Sequence, residues 1–219
     1  MPPVSFHPLP DPLPGDPLAV LEAWLREARE KLGPEHRNPT AMTLATSGED
    51  HRPDARVVLC RGFDAQRGVL TFYTDRTSTK GRQLSHNPHA AGVFYWEELY
   101  RQVRVSGPVT HTPDDMSDAY FASRPFGARV SATISRQSQP LATREELERL
   151  HTEQDRLLAA SQATPRPERW GGYDLWIERI EFWVGRIDRL HDRARYERSL
   201  PGDPLSRPES SWRSSRLQP

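Results

Sequence analysis

The sequence predicts a mainly β protein with peripheral helices (α+β), built on an antiparallel sheet or barrel. Three observations carry this. Between Ala41 and Val109 the chain reads as five short strands, separated by turn-rich pieces such as Ser47-Gly48-Glu49-Asp50 and Asp64-Ala65-Gln66-Arg67-Gly68. Helical segments fall among the strands without the regular βαβ alternation of a parallel sheet. And 219 residues are enough for one sizeable core but short for two full domains.

Taken in order, residues 1–15 read as an irregular arm, because proline withholds a backbone donor and interrupts helices, and seven of the 21 prolines fall within the first 17 residues. Residues 16–219 then form a single domain. Asp16-Pro17 reads as an N-cap followed by proline at the first helical position. Leu18, Leu21, Leu25, Ala28 and Leu32 follow at helical spacing, and Gly33-Pro34 ends the helix. The strands expected next are 41–45, 55–61, 69–74, 90–96 and 100–109. A short helix over 77–87, ended by Asn87-Pro88, lies between the third and fourth. Thr112-Pro113 opens another short helix that runs through Phe121. Thr143-Arg144-Glu145-Glu146 fits a capping box and opens a helix to about Ala160. Tyr173 to Tyr196 returns to strand-like composition. A loop with Pro201, Gly202, Pro204 and Pro208 follows, and a last short strand falls near 212–217. No internal repeat is visible.

Composition excludes several classes. Only 35% of residues are apolar, and the longest apolar run, Ala90 to Trp96, is far too short to span a membrane. So polar a chain fits one that buries further surface against a second copy. Thirty basic and 30 acidic residues cancel, whereas a general nucleic-acid binder should be clearly basic. The single cysteine, Cys60, excludes an intramolecular disulfide and a Cys-clustered zinc site. It lies in an apolar strand, which favours a buried, inert thiol. The first basic residue is Arg26, which fits no secretory signal, so a cytoplasmic protein is expected. There is no G-x-G-x-x-G, Walker loop, H-E-x-x-H or G-x-S-x-G. His86 and His89 flank Asn87-Pro88, where helical spacing fails, so no metal site is expected.

What remains is basic groups at strand ends and turns, beside aromatic rings. Arg56 and Arg61 flank Val57-Val58-Leu59-Cys60; alternation puts Val57 and Leu59 on one face and Arg56, Val58 and Cys60 on the other. Alone, these arginines read better as solvated borders of a buried strand. Thr77-Ser78-Thr79-Lys80 opens a helix with hydroxyls, free N–H groups and a lysine, which suits a phosphate as well as an ordinary cap. Only Lys31 and Lys80 are lysines among the 30 basic residues, which singles Lys80 out. Tyr120 and Arg124 lie four apart and together suit a phosphate oxygen. Arg186 to Arg198 is arginine-rich and follows Glu181-Phe182-Trp183, whose rings suit a planar ligand. With no nucleophile, metal or carboxylate pair in view, the pattern fits a cofactor enzyme whose protein positions and polarises.

These blocks resemble the pyridoxine (pyridoxamine) 5'-phosphate oxidase family, FMN-dependent homodimers with a split β-barrel. The likeness runs from about Asp16 to Pro219. It rests on Arg56-Val57-Val58-Leu59, Phe72-Tyr73-Thr74 with Ser78 and Lys80, Arg101-Gln102-Val103, Tyr120-Phe121 with Ser123-Arg124-Pro125, and Ser135-Arg136-Gln137-Ser138. Trp170-Gly171-Gly172, Glu181-Phe182-Trp183, Arg189-Leu190-His191-Asp192-Arg193 and Arg216-Leu217-Gln218-Pro219 complete it. The resemblance implies that Arg56, Val57, Val58, Leu59, Arg61, Tyr73, Thr74 and Lys80 contact FMN, with Arg56 and Lys80 near its phosphate. Gln102, Gln137, Ser138, Trp183 and Arg193 would complete the flavin site across a dimer interface. Arg61, Tyr120 and Arg124 would grip the substrate phosphate, and Arg189 and His191 would act over the substrate ring as the catalytic pair. The implied reaction oxidises pyridoxamine or pyridoxine 5'-phosphate to pyridoxal 5'-phosphate, with O₂ as acceptor and H₂O₂ as product.

The chain departs from the family pattern at Arg61 (usually lysine), Thr79 (commonly arginine), Ala128 (often serine) and Thr133 (commonly tryptophan), and its arm lacks an arginine pair that some members use as a lid. Phenazine-pathway FMN oxidases, which act on dihydrophenazine carboxylates, share Lys80-Gly81-Arg82, His86-Asn87-Pro88 and Ser135-Arg136-Gln137-Ser138. A non-catalytic flavin or pyridoxal phosphate carrier on the same barrel is the third reading.

Overall fold

A computed structural model describes residues 8–32, 38–161, 164–200 and 211–219. The expected stop at Gly33-Pro34, the loop through Pro201–Pro208 and residues 1–7 of the arm lie outside the described residues. The elements are α1 (Pro17–Lys31), β1 (Ala41–Ser47), β2 (Pro53–Leu59), β3 (Gly62–Asp64), β4 (Val69–Asp75), α2 (Thr79–His86), β5 (His89–Trp96) and β6 (Arg101–His111). They continue with α3 (Asp114–Ser123), α4 (Phe126–Ile134), α5 (Arg144–Ser161), β7 (Trp170–Trp176), β8 (Arg179–Val184), β9 (Asp192–Glu197) and β10 (Arg213–Arg216).

All strand pairs are antiparallel, in the order β10-β9-β8-β6-β5-β1-β2, with β7 joining β6 to β4 and β3 pairing with β4. The long strand β6 is where the barrel splits: its first half pairs with β8 and its last residues with β7. Gly107 sits at the fork, where the turn from β7 to β8 crosses it. A Cβ there would come within 1.9 Å of the Trp176 carbonyl oxygen, so only glycine fits. On the far side, the Arg61 N–H donates to the Thr71 carbonyl at 2.8 Å and ties the end of β2 to β4.

Alternation drives the sheet. Met42, Leu44, Phe94, Val103, Val105, Phe182 and Leu175 are buried inside, while Val57, Tyr95 and Arg104 point outward. Helix α1 closes one end. The Asp16 side chain accepts from the Leu18 N–H at 2.9 Å, and Pro17 stands at the first helical position. Leu21, Leu25 and Ala28 are then buried, each of the leucines contributing about 1.5–3 kcal/mol by leaving water. Trp24 meets Phe182 edge-on at 5.1 Å.

The expected strands hold to within two residues at each end. β3, α4 and a 3₁₀ turn at Glu97–Leu99 were not anticipated, and the strand-like stretch from Tyr173 to Tyr196 resolves into parts of three strands, β7, β8 and β9. The capping box at α5 is used from one side: Thr143 Oγ1 accepts from the Glu146 N–H at 3.2 Å. Among the described residues no helix is long and apolar enough to cross a membrane.

Cys60 lies just beyond β2 and is buried, its thiol donating to the Gly62 carbonyl at 3.2 Å. Burial pushes the thiol up to about 11 from 9.0. The fold therefore prefers the neutral thiol. That preference is fully present below the ordinary thiol value and is lost as pH rises from 9.0 towards 11. Native protein at pH 8 should resist a thiol-labelling reagent that modifies urea-unfolded protein within minutes; rapid labelling of the native form would contradict this burial.

Candidate functional site

The open edge of β2, the end of β4, the start of α2 and the helices α3 and α4 enclose a cleft of about 720 Å³. Strand β2 supplies Arg56, Val57, Val58 and Leu59, and Arg61 follows it. Strand β4 supplies Tyr73 and Thr74, and α2 supplies Lys80. Helix α3 and its C-cap supply Tyr120 and Arg124, and the turn after α4 supplies Gln137 and Ser138. Residues scattered over more than 80 positions of sequence thus meet in one cavity.

One end of the cleft is cationic. Ser78 caps α2, its hydroxyl accepting from the Gly81 N–H at 3.3 Å. Lys80 is 7% exposed. Its Nζ donates to Gln137 Oε1 at 2.9 Å, Thr74 Oγ1 at 3.2 Å and Ser78 Oγ at 3.4 Å. All three acceptors are neutral, and among the described residues Lys80 forms no ion pair. Burial first, then the Arg56 charge, holds its pKa below the usual lysine range, against the weaker pull of Asp75 and Asp54. A buried ammonium without a carboxylate partner, in the first turn of a helix, suits an anion. Arg56 shares the cleft but is already engaged, with Asp54, with Thr46 Oγ1, with Gln83 Oε1 at 3.2 Å and with the Leu44 carbonyl at 3.3 Å.

The other end is aromatic and also cationic. Tyr73 stacks on Tyr120 at 4.0 Å and on Trp170 at 5.5 Å, the planes within 19°. The Arg124 guanidinium lies 4.8 Å from the Trp170 ring centre. Its buried Nη1 has no hydrogen-bond partner. Burial holds the Arg124 pKa down, opposed by Tyr120 and reinforced by the Arg61 charge. Two cations facing one cavity, one carrying an unused donor, make a second anion-selective point.

The remaining sequence candidates form a separate cluster on the outer face of the sheet. Gln102 on β6 is the register partner of Trp183 on β8, which in turn partners Arg193 on β9. The His191 ring lies 4.7 Å from that of Trp183. Arg193 is oriented by the buried Glu181, to which it donates from Nε at 3.0 Å and Nη2 at 2.8 Å, and by the Gln218 carbonyl at 2.8 Å. His191 Nδ1 accepts from the Arg186 N–H at 3.1 Å, so a neutral ring carries its proton on Nε2. Arg189 sits in an exposed turn with φ 64°, a conformation that costs a non-glycine residue energy and that clusters at functional sites. Ser138, in the first cluster, is held likewise at φ 71°. Within one chain, Gln102, Trp183, Arg189, His191 and Arg193 do not line the cleft. Val57 and Tyr95 on the strands, and Ile187 and Leu190 in the turn between β8 and β9, are exposed apolar side chains.

Sequence reasoning gave no role to Trp170, Asp75 or Arg169. Trp170 carried a signal, since it opens Trp170-Gly171-Gly172. The other two act through contacts with residues far away in sequence. Another concavity, of about 510 Å³, lies at the opposite end of the sheet. There Arg179 pairs with Glu197 at 2.8 Å, and Arg198 donates to the carbonyls of Ile177 and Arg67, so these donors are already engaged. Among the described residues no cluster of three or more His, Cys, Asp or Glu could hold a metal.

An antiparallel barrel split at β6, open at a cleft of aromatic rings and unpaired cations, is a flavin-binding split barrel in its fold. Comparison with known proteins narrows the class. The profile of the family described as pyridoxamine 5'-phosphate oxidase matches residues 28–154. That of the pyridoxine 5'-phosphate oxidase C-terminal dimerisation region matches residues 170–219. A Rubrobacter xylanophilus protein named pyridoxine/pyridoxamine 5'-phosphate oxidase is 48% identical over 204 residues, covering 93% of this chain and 87% of that protein. A Paraburkholderia phytofirmans protein of the same name is 46% identical, covering 93% and 89%. Among solved structures, PhzG from Burkholderia lata 383, in complex with tetrahydrophenazine-1-carboxylic acid, superposes with a TM-score of 0.84 at 33% identity, covering 98% of each chain. A Nostoc punctiforme FMN-binding protein related to pyridoxamine 5'-phosphate oxidase shares the fold, with a TM-score of 0.66 at 19% identity over 92% of this chain and 96% of that one. The chain belongs to the pyridoxamine 5'-phosphate oxidase family and is an oxidoreductase.

Proposed function

We propose that this chain is an FMN-dependent oxidase that converts pyridoxamine or pyridoxine 5'-phosphate to pyridoxal 5'-phosphate, acting as a homodimer. The observation that carries the reading is the pair of cationic points in one cleft without a carboxylate partner among the described residues, Lys80 at one end and Arg124 with Arg61 at the other. Two phosphorylated, planar ligands side by side need such a pair. The aromatic stack of Tyr73, Tyr120 and Trp170 between them supplies a flat wall.

FMN fits the donor set. Lys80 and the start of α2 would hold its phosphate, with Arg56 behind them, while Val57, Val58 and Leu59 would offer backbone groups along the open edge of β2. When bound, FMN supplies the two-electron acceptor and passes the electrons to O₂, so that H₂O₂ is the second product. The protein's own part is to orient and polarise. Arg61, Tyr120 and Arg124 would fix the substrate phosphate. A dimer joined through the outer face would bring Gln102, Trp183 and Arg193 of the partner subunit to the flavin, and Arg189 and His191 of the partner subunit over the substrate ring. The match of residues 170–219 to a dimerisation region supports this arrangement, as does the exposed apolar surface at Val57, Tyr95 and Leu190. Water excluded by such closure strengthens every charge interaction inside.

The PhzG likeness favours a second reading, an FMN oxidase of reduced phenazine carboxylates. The more similar relatives support the first. Oxygen uptake by FMN-loaded protein decides. Consumption with pyridoxamine or pyridoxine phosphate supports the proposal; consumption only with a dihydrophenazine carboxylate supports the alternative, and neither would leave a flavin carrier.

Arg189→Ala should lower kcat/KM by roughly tenfold to a hundredfold, the worth of one charged contact, while FMN affinity stays within about twofold. Equal losses in both would contradict its place over the substrate.

A further inference from the structure

We propose that Arg169 is a positioning residue for the cofactor's phosphate end: without touching the ligand, it locks together the two walls that carry Lys80 and Gln137. The inference rests on the FMN reading above.

Arg169 stands just before β7 and reaches in two directions. Its Nε donates to Asp75 Oδ2 at 3.1 Å. Its Nη2 lies within hydrogen-bond range of three carbonyls, those of Ala132 at 2.9 Å, Thr133 at 2.7 Å and Ser135 at 3.1 Å. These belong to the last turn of α4 and its C-cap, where carbonyls have no partner within the helix and the helix dipole is negative. Among the described residues no other cation bonds that turn, and the planar fork of an arginine suits several acceptors at once where a lysine's point charge would not.

Each wall leads to the cleft within a few residues. On one side, Asp75 is 6% exposed and shapes the turn into α2. Its Oδ1 accepts from the Thr77 N–H at 2.7 Å and the Thr77 hydroxyl at 2.6 Å, and its carbonyl accepts from the Ser78 hydroxyl at 2.6 Å. Ser78 caps the helix that presents Lys80. On the other side, the chain leaves α4 at Ser135 and two residues later places Gln137, whose Oε1 accepts from both Thr74 Oγ1 and Lys80 Nζ at 2.9 Å. Ser138 follows at φ 71°. One guanidinium therefore bridges residues 94 positions apart on one side and 34 to 37 on the other. Without it, Asp75 would lose its ion-pair partner, the α4 carbonyls would lose their donor, and the gap between Lys80 and Gln137 would be free to vary.

The test measures flavin affinity of the apo-protein by quenching of flavin fluorescence, with FMN and with riboflavin, for wild type, Arg169→Ala, Arg169→Lys and each combined with Gln137→Ala. Arg169→Ala should weaken FMN about tenfold and leave riboflavin nearly unchanged, because only FMN uses the phosphate end. Arg169→Lys, which keeps the charge beside Asp75, should recover part of the loss. In the Gln137→Ala background the Arg169→Ala effect should shrink to about twofold or less, since residues acting as a unit are not additive. FMN affinity unchanged in Arg169→Ala overturns the proposal. So do equal losses for FMN and riboflavin, or effects of Arg169 and Gln137 that simply multiply. If Arg169→Ala does not fold, the same three criteria apply to Arg169→Lys. Failure of the FMN reading shows separately, as wild-type protein that binds neither flavin.

Discussion

Lys80→Ala is expected to purify colourless, or nearly so, where wild type retains yellow flavin. Lys80 holds the one ammonium in the cleft, and its Nζ is surrounded by neutral oxygens at 2.9–3.4 Å. A charged hydrogen bond to phosphate is worth about 1.5–3 kcal/mol, or roughly a tenfold to hundredfold loss of affinity on removal. pH gives an independent handle. Burial and Arg56 place the folded-state pKa of Lys80 below the ordinary lysine value. In the apo-protein the native state therefore binds fewer protons than the unfolded chain across that interval, and stability rises with pH through it. FMN needs the protonated amine, so its affinity should fall with rising pH over the same interval, sooner than for an ordinary lysine. The slope should vanish in Lys80→Ala. Flavin content and pH slope equal to wild type would remove Lys80 from the phosphate site.

The opposite signs of those two slopes reflect a general feature of this cleft: it is arranged against its own stability. The sequence made half of that visible. Alternation in the segment 55–61 placed Arg56 and Val57 on opposite faces, and the paired register of β1 with β2 bears this out. Tyr120 and Arg124, four apart on a helix end, and the Ser78 cap before Lys80 are local patterns, and local patterns are what periodicity and capping rules detect. Other elements lacked a local signal. Helix α4 contains Gly127, Val130 and Thr133, poor helix formers, and its last turn is completed by Arg169 from outside. Strand β3 is only three residues long and pairs because β4 is already there. Asp75 and Arg169 meet across 94 positions, a contact set by the β4–β7 register rather than by either sequence neighbourhood. The split of the candidate residues into an inner cleft and an outer cluster follows from strand parity, which becomes legible only once strand order is known.

Arg124→Met should raise KM for the phosphorylated substrate by about tenfold to a hundredfold, with kcat and flavin content little changed. Methionine keeps an apolar stem against Trp170 and Phe121 while removing the charge. The guanidinium now sits half-buried, with Nη1 unpartnered and Arg61 as its charged neighbour. Leaving a buried donor unmet costs about 1–3 kcal/mol, so removing it should not destabilise the apo-protein and should tend to raise its melting temperature. A residue present only to pack on Trp170 would behave the other way: the melting temperature would fall and KM would stay. Substrate chemistry sharpens the comparison. If Arg124 grips a phosphate, the variant should lose its preference for pyridoxamine phosphate over unphosphorylated pyridoxamine, because both then lack the same contact. Should the wild type oxidise a reduced phenazine carboxylate instead, with Arg124→Met equally active on it, the cation pair would have no part in substrate choice, and the phosphate reading of this end of the cleft would fall while the FMN reading of the other end stood.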